Sequence, residues 1–571
     1  MAVHNADIAA AFEEIADLLE LGDENPFRIR AYRNAASVVG GLSLDLAARL
    51  AEGGELPKLP GIGEDLSAKI GEIAATGTCK LLEKLRGRFP AGITELLRLP
   101  GIGPKRVRAL HEARIDSLED LRRAARAGQL PALPGFGEKT AQRIQDAAQA
   151  QLGAARRFKL AVAAQYAEPL AKHVDGVVAG SYRRMKETVG DLDFLVVSDD
   201  PGKATARFIG YPEVREVLAR GTTRSSVRLA SGIQADLRVV PPTSFGAALH
   251  YFTGSKAHNI AVRKLGIARG LKINEYGVWR GERRIAGETE QSVYAAVGLA
   301  YIEPELRENQ GELEAARVGA LPRLVRLDDL RGDLHAHTRA TDGRASAREM
   351  ALAAKAAGLQ YLAITDHSRR LAMARGLDSR RLEKQMDEID DLNGELSGIA
   401  LLKGIEVDIL EDGALDLPDS ILRKLDLVVA AVHSGFKLSR ARQTERILAA
   451  LDNPCVHVLA HPSGRLIGER QPYDVDMLAV MRKARERGLA LELNAHPDRL
   501  DLNEVHCRMA KDEGVPVAIA SDAHGTDGFG VLRYGVGQAR RGWLEKKDVL
   551  NARPLAELRR WLARASAKAK R

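Results

Sequence analysis

The sequence predicts a multidomain α and α/β chain, all-helical at its start and barrel-like at its end, and three observations carry that expectation. Leu-Pro-Gly-Ile-Gly stands at 59–63 and again at 99–103, with Leu-Pro-Gly-Phe-Gly at 133–137, and each leads into a helical pattern. Asp191 and Asp193 sit two residues apart, just ahead of the apolar run Phe194-Leu195-Val196-Val197. From Asp333 on, strand patterns alternate with helical ones, and strand after strand ends in His, Asp or Glu.

At 571 residues the chain exceeds one ordinary core, and its length suggests about three to five domains. Hydrophobic residues make up 45% and aromatics only 4%, so Ala and Leu fill the apolar positions, which favours helices over sandwiches. No apolar run approaches the ~18 residues of a membrane span, and the N-terminus opens an amphipathic helix instead of a signal peptide. A cytoplasmic protein is expected. Cys79, Cys455 and Cys507 are odd in number and far apart, which excludes a disulfide framework and a Cys-x-x-Cys zinc site.

The net charge of +8 and pI near 9.2 are compatible with a nucleic-acid partner. The charge is unevenly spread: residues 1–50 hold four Arg against eight acids, and residues 101–150 hold nine basic residues against six acids. The last 19 residues carry seven basic side chains and one Glu, which reads as a solvated, frayed helix.

In chain order, Ile8, Phe12, Ile15, Leu18 and Leu19, then Tyr32, Ala35, Val38 and Val39, mark two helices around the breaker Gly22-Asp23-Glu24-Asn25-Pro26. The three repeats follow. Their glycines, Gly61 and Gly63, Gly101 and Gly103, Gly135 and Gly137, would expose backbone N–H groups at a helix N-terminus, where a phosphate oxygen binds without base reading. Lys or Arg, as at Lys105, stands in the first turns of the helices. Three copies resemble helix-hairpin-helix DNA-binding units.

Gly180 and Ser181 follow Val177-Val178-Ala179, where the backbone can turn tightly and offer donors, and Arg183 and Arg184 add fixed positive charge. On a strand, Asp191 and Asp193 share one face. Carboxylates that close repel unless a cation sits between them, and hard oxygen ligands suit magnesium. Asp236, in the strand pattern Gln234 to Val240, would complete three carboxylates around two metal ions if the strands are neighbours. Tyr251-Phe252-Thr253-Gly254-Ser255 precedes a helix through Arg263, Ile273 to Val278 reads as one small strand, and about 303–331 reads as a charged connector. Taken alone, Tyr251 and Phe252 read as core aromatics.

The later strand ends are His335 and His337, Asp366 and His367, Glu406, His433, His461, and Asp522 with His524. Ligand-type residues gathered at strand C-termini describe a barrel with a polynuclear metal site on one rim.

Residues 1 to about 320 resemble the family X DNA polymerases. Gly-Ser-x-Arg-Arg followed by Asp-x-Asp is shared with nucleotidyltransferases in general; Tyr-Phe-Thr-Gly-Ser and Ile-Asn-Glu-Tyr-Gly narrow the resemblance to the polymerases. It implies that Asp191, Asp193 and Asp236 hold two Mg2+ or Mn2+ ions. It further implies that Gly180, Ser181, Arg184 and Gly190 grip the triphosphate, that Tyr251, Phe252 and Gly254 line the sugar pocket, and that Asn259 and Arg263 face the nascent base pair and template. The family's lyase lysine corresponds to Lys69, with Tyr32 as a supporting tyrosine. Phe27 and Asp65 stand where a His and a Lys would help hold a 5′-phosphate, and only Arg28 remains. Schiff-base chemistry and plain phosphate contact are both open for Lys69.

Residues 332 to 545 resemble the polymerase and histidinol phosphatase (PHP) domain. The resemblance implies a three-metal cluster of Mn2+, Zn2+ or Fe on His335, His337, Asp342, His367, Glu406, His433, His461, Asp522 and His524, with His496 outside it. Its implied chemistry is phosphoester hydrolysis: 3′ to 5′ exonuclease action, 3′-phosphate removal and abasic-site cleavage. The expected architecture is a helical lyase-like domain over 1–85, a helix-hairpin-helix domain over 86–152, a nucleotidyltransferase palm over 153–242 and a small thumb over 243–318. A linker, 319–331, then leads to a distorted (β/α)7 TIM-like PHP barrel over 332–571. The expected partners of this monomeric, nucleoid-associated protein are gapped or nicked DNA and dNTPs. The expected function is short-gap filling in base excision repair with 3′-end processing. The competing reading makes the barrel the principal activity and the polymerase half a DNA clamp.

Overall fold

Apolar residues at helical spacing gather the first part of the chain into helices. The computed structural model describes residues 3–568 except 41, 43–45, 52, 58, 60, 91, 94–95, 97–103, 134–135 and 138–156. Two compact units result: Met1–Phe158 with Ile209–Leu218 and Ser226–Ala235, and Lys159–Phe208 with Ala219–Ser225 and Asp236–Arg571.

In the first unit, helices Asn5–Leu21 and Pro26–Gly40 flank the expected breaker. Ile8, Phe12, Ile15 and Leu19 share a core with Tyr32, Ala35 and Val39, and Phe12 meets Tyr32 edge-on at 5.7 Å. In the first repeat Gly61 takes φ +67° and Gly63 caps the helix Glu64–Thr76, so the first glycine is demanded by the backbone. Gly101 and Gly103 lie outside the described residues, and helix Pro104–Glu112 begins directly after them. In the third repeat Gly137 is described and Phe136 is buried beside it, while Gly135 and the helix expected next lie outside the described residues.

The carboxylate strands belong to a five-stranded sheet in the order Val177–Val178, Asp191–Val197, Gln234–Val240, Arg224–Leu229, Val214–Arg220. Asp191–Val197 alternates as a half-buried strand should: Leu192 and Phe194 are buried, Asp191 is exposed and Asp193 is half-buried. The expected single strand from Ile273 to Val278 is instead a hairpin. Strands Lys272–Asn274 and Gly277–Arg280 pair antiparallel, and Tyr276 N donates to Asn274 Oδ1 at 3.0 Å to turn the chain.

The stretch expected as a connector is folded into the neighbouring core. Leu306, Ala316 and Leu324 join Val262, Val278, Tyr294 and Trp543. Two of its charged residues are buried with partners, Arg307 with Glu290 and Glu312 with His258, while Glu314, Arg317, Arg323, Arg326 and Asp328 stay exposed, which is how a charged, poorly periodic segment can join a core.

Seven parallel strands then follow in sequence order: Gly332–Asp333, Tyr361–Ile364, Ala400–Asp408, Leu427–Ala431, Val458–Leu459, Ala490–Asn494 and Val517–Ala520. Leu427–Ala431 is buried at every position, as expected of a parallel strand covered on both faces. The sheet is a nearly closed barrel: Ala336 bridges Ala523, and the Asn551 amide donates to Gly332 O and Ile519 O, each at 2.7 Å. Because the strands are parallel, their C-terminal residues crowd one rim.

The basic tail is not the solvated helix expected. Helix Leu555–Lys568 sets Leu558 and Leu562, four residues apart, into the barrel core. Among the described residues no helix is long and apolar enough to cross a membrane.

Two candidate metal centres

The first centre is assembled around Gly180. Its φ is +63°, and a Cβ there would lie 2.5 Å from Asp193 Oδ2, so the missing side chain lets the turn close onto the carboxylate. Ala179 N donates to Asp193 O at 2.7 Å, fixing strand to turn. Burial first, then the charges of Asp191 and Asp236, push the Asp193 carboxyl up to about 7. Asp191, Asp193 and Asp236 thus share one electrostatic field, as carboxylates arranged around cations do.

The helical turn Gly180–Arg183 is tied to the end of helix Phe245–Thr253. Arg183 donates to Glu290 at 2.8 and 2.7 Å and to Thr253 Oγ1 at 2.8 Å. Arg184 donates from Nε to Glu308 at 2.9 Å and from Nη1 to Thr253 O at 2.7 Å. Ser181 and Gly190 are half-buried on either side of these arginines.

Tyr251 and Phe252 meet edge-on at 5.1 Å, with the Arg263 guanidinium 5.9 Å from the Tyr251 ring and Arg238 5.0 Å from Phe252. The Asn259 amide donates to Tyr251 O at 2.6 Å and to Gly254 O at 3.1 Å. A Cβ on Gly254 would lie 2.5 Å from Asn259 Oδ1. Glu290, Glu308 and Arg238 escaped the sequence reading, because each is an isolated charge whose partner lies elsewhere in the chain.

Lys69, in the helical unit, is only 14% exposed at its side chain and is bonded to Asp65. Burial opposes its charge, but the Asp65 hydrogen bond and nearby Tyr32 outweigh burial and raise its pKa. A Schiff-base lysine needs the opposite shift.

In the second centre all nine expected residues converge on the barrel rim. Glu406 lies at the middle: Oε1 is 3.2 Å from His433 Nε2 and 2.9 Å from His461 Nε2, and Oε2 is 2.7 Å from His367 Nδ1 and 3.4 Å from His335 Nε2. Asp522 Oδ1 is 3.1 Å from His337 Nε2, and Asp342 Oδ2 is 3.4 Å from His367 Nε2 and 3.5 Å from His524 Nε2. Three overlapping sets could each hold an ion: His337, Asp342, His367 and His524; His335, His337 and Asp522; His367, Glu406 and His433.

The electrostatics fit cations. Burial opposes charge on these histidines, yet Glu406 and neighbouring carboxylates push His367 up to about 10 and His433 up to about 9. Those protons stand in for positive charge that a metal cluster would carry. His337, surrounded by burial and by His524 and His367, falls to about 4. His335 Nε2, His337 Nδ1 and Glu406 Oε2 are buried without a hydrogen-bond partner among the described residues, a cost that coordination removes.

Behind these nine stand residues the sequence reading passed over. Glu492 Oε1 lies 2.6 Å from His335 Nδ1, its Oε2 accepts from His461 N at 2.6 Å, and Asp408 Oδ1 lies 2.9 Å from His433 Nδ1. Glu492 was findable: an acid inside Leu489-Ala490-Leu491-Glu492-Leu493 breaks an apolar strand. His496 is half-buried, with burial lowering its pKa.

Comparison with known families agrees with this layout. Residues 3–79 match the helix-hairpin-helix domain family and 93–150 the SAM-like helix-hairpin-helix tandem. Residues 155–225 match the DNA polymerase beta palm, 248–308 the DNA polymerase beta thumb and 333–496 the PHP domain. The DNA polymerase/3′-5′ exonuclease PolX of Bacillus subtilis (strain 168) is 38% identical over 577 residues, covering 98% of this chain and 100% of that protein. A probable phosphatase of Thermoanaerobacter sp. (strain X514) is 34% identical over 204 residues, 34% of this chain and 78% of that protein. One from Acetivibrio thermocellus is 33% identical over 201 residues.

Proposed function

The chain belongs to the family X DNA polymerases that carry a C-terminal PHP domain, and on that premise we propose that it fills short DNA gaps with one centre and processes 3′ ends with the other. The observation that carries this reading is the presence of two acidic centres in one chain, Asp193 pushed up to about 7 beside Asp191 and Asp236, and Glu406 within 3.8 Å of five histidines.

In the polymerase centre, Asp191, Asp193 and Asp236 hold two divalent cations, Mg2+ or Mn2+. When bound, the cations acidify the primer 3′-hydroxyl and neutralise the leaving pyrophosphate. Gly180, Ser181, Arg184 and Gly190 bind the triphosphate. Among the described residues the Nη2 of Arg184 makes no hydrogen bond, while its Nε and Nη1 are held. Tyr251, Phe252 and Gly254 receive the sugar, with Asn259 bracing the backbone under them, and Arg263 lies toward the template. The repeats at Gly61 and Gly63, Gly101 and Gly103 with Lys105, and Gly135 and Gly137 seat the duplex flanks by phosphate contact.

In the barrel, His335, His337, Asp342, His367, Glu406, His433, His461, Asp522 and His524 hold a cluster of three cations of Mn2+, Zn2+ or Fe. Such a cluster acidifies water and neutralises a phosphoryl group. Glu492 and Asp408 orient His335 and His433. Trimming a 3′ end or removing its phosphate leaves the 3′-hydroxyl that extension requires, and this order of events supports a role in gap repair.

The test is a reciprocal pair on a one-nucleotide gap, with a plain and a phosphate-blocked 3′ end. Asp191→Ala with Asp193→Ala abolishes extension and spares hydrolysis. His335→Ala with His337→Ala abolishes hydrolysis and leaves extension within a few fold. Extension surviving the first change would instead leave the barrel as the principal activity.

A further inference from the structure

Helix Leu532–Arg541, on the barrel side, lies along the triphosphate turn of the polymerase centre. Its contacts recur at every fourth residue, Arg533, Gly537 and Arg541, which form one stripe on a helix. Arg533 donates to Glu168 at 2.8 Å, and the same Glu168 oxygen accepts from the Tyr182 hydroxyl at 3.0 Å. At Gly537 a Cβ would lie 2.5 Å from Met185 Cε and 3.0 Å from Met185 Cβ, so any larger residue must displace the Met185 side chain. Arg541 donates to Arg184 O at 2.8 Å and to Glu308 Oε1 at 3.1 Å.

Glu308 Oε1 is also the acceptor for Arg184 Nε at 2.9 Å. One carboxylate oxygen therefore joins the nucleotide-gripping arginine to an arginine of the barrel half. Arg541 is nearly closed to solvent, its side chain 2% exposed, and a second anchor, Glu504, accepts from it at 3.1 Å. Glu504 also accepts from Lys186 at 3.2 Å and from Gln538 at 3.0 Å. The turn Arg184, Met185, Lys186 is thus held at three consecutive residues from outside its own sheet. Met185 sits at φ +54°, a conformation a non-glycine residue keeps only when its surroundings enforce it.

The geometry points to Arg541 and Gly537 as positioning residues for the polymerase reaction: the barrel half holds the Arg184 turn and so sets dNTP affinity at the other centre. Neither residue touches nucleotide or metal; each acts through Arg184. Arg184 pinned at both its carbonyl and its Nε starts preorganised, and losing either anchor adds freedom that binding must remove. The inference rests on Arg184 gripping the triphosphate.

The experiment uses the full chain and measures gap filling against dNTP concentration for Arg541→Ala, Gly537→Leu and Arg184→Ala. Barrel hydrolysis of a 3′ end is measured on the same preparations. Expected for Arg541→Ala and Gly537→Leu is a KM for dNTP raised about tenfold with kcat within about twofold, a split that signals lost ground-state binding, and unchanged hydrolysis. An unchanged KM in both, while Arg184→Ala raises it, overturns the inference and leaves the Arg184 reading standing. An unchanged KM in Arg184→Ala removes that reading and the inference with it. Parallel loss of extension and hydrolysis in both Arg541→Ala and Gly537→Leu marks a merely structural contact and also overturns it.

Discussion

Replacing Gly180 with alanine tests whether the absence of one side chain protects the polymerase centre. The new methyl would sit 2.5 Å from Asp193 Oδ2 and 3.4 Å from Asp193 Cγ. Ordinary contact begins near 3.4 Å, so the carboxylate or the turn must yield by about 0.9 Å, beyond the ~0.5 Å tolerance of a catalytic constellation. The left-handed φ of +63° adds strain of roughly 1–2 kcal/mol for a residue with a Cβ. A displacement near 1 Å costs on the order of 100-fold in rate, or about 2.7 kcal/mol of barrel-independent activation energy. Gap filling at saturating dNTP and magnesium should fall by that factor, while barrel hydrolysis on the same preparation stays unchanged. Extension within threefold of the unaltered protein would refute the claim that Gly180 is there to admit Asp193.

Three further outcomes follow from the same contacts. Burial alone would raise the pKa of Glu290, but the Arg183 hydrogen bond and the Arg307 charge bring it down to about 2. Its folded pKa lies below its unfolded value, so this stabilisation, of order 3 kcal/mol, is present above about pH 4.5 and is lost as pH falls towards 2. The gap in unfolding midpoint between the unaltered chain and Glu290→Gln should therefore narrow from pH 5 downwards, and a constant gap contradicts the assignment. Lys69, held protonated beside Asp65, should give no borohydride-trapped adduct on a 5′-abasic end at neutral pH; a trapped adduct restores it as a lyase residue. Glu492→Ala, which removes the partner of His335 Nδ1, should weaken metal retention by roughly 10–100-fold, read as metal content after dialysis, and full retention argues against an orienting role.

The barrel cluster was legible because its residues, Asp342 apart, stand at or just beyond the ends of apolar strands, and parallel strands bring their ends to one rim whatever their order in the chain. The palm carboxylates were legible for a similar reason: alternation at period two puts Asp191 and Asp193 on one face and Leu192 and Phe194 on the other. Glu492 was equally local and was passed over beside the more conspicuous His496. The basic tail and the charged connector misled because composition counts charges without their partners: Leu558 and Leu562 bury one face of the tail, Glu290 pairs with Arg307, and the His258 ring hydrogen-bonds Glu312.

By itself, then, the sequence determined which side chains can bind metal, on which elements they stand and in which half of the chain each chemistry lies, since periodicity and strand ends are properties of neighbouring residues. Only the tertiary structure decided that Glu406 is the hub of five histidines, that Asp65 pairs with Lys69, and that Arg541 reaches Arg184 through Glu308. Those contacts join residues on separately formed elements, mostly far apart in the chain, and no local pattern of apolar and polar residues specifies which surfaces of folded elements meet.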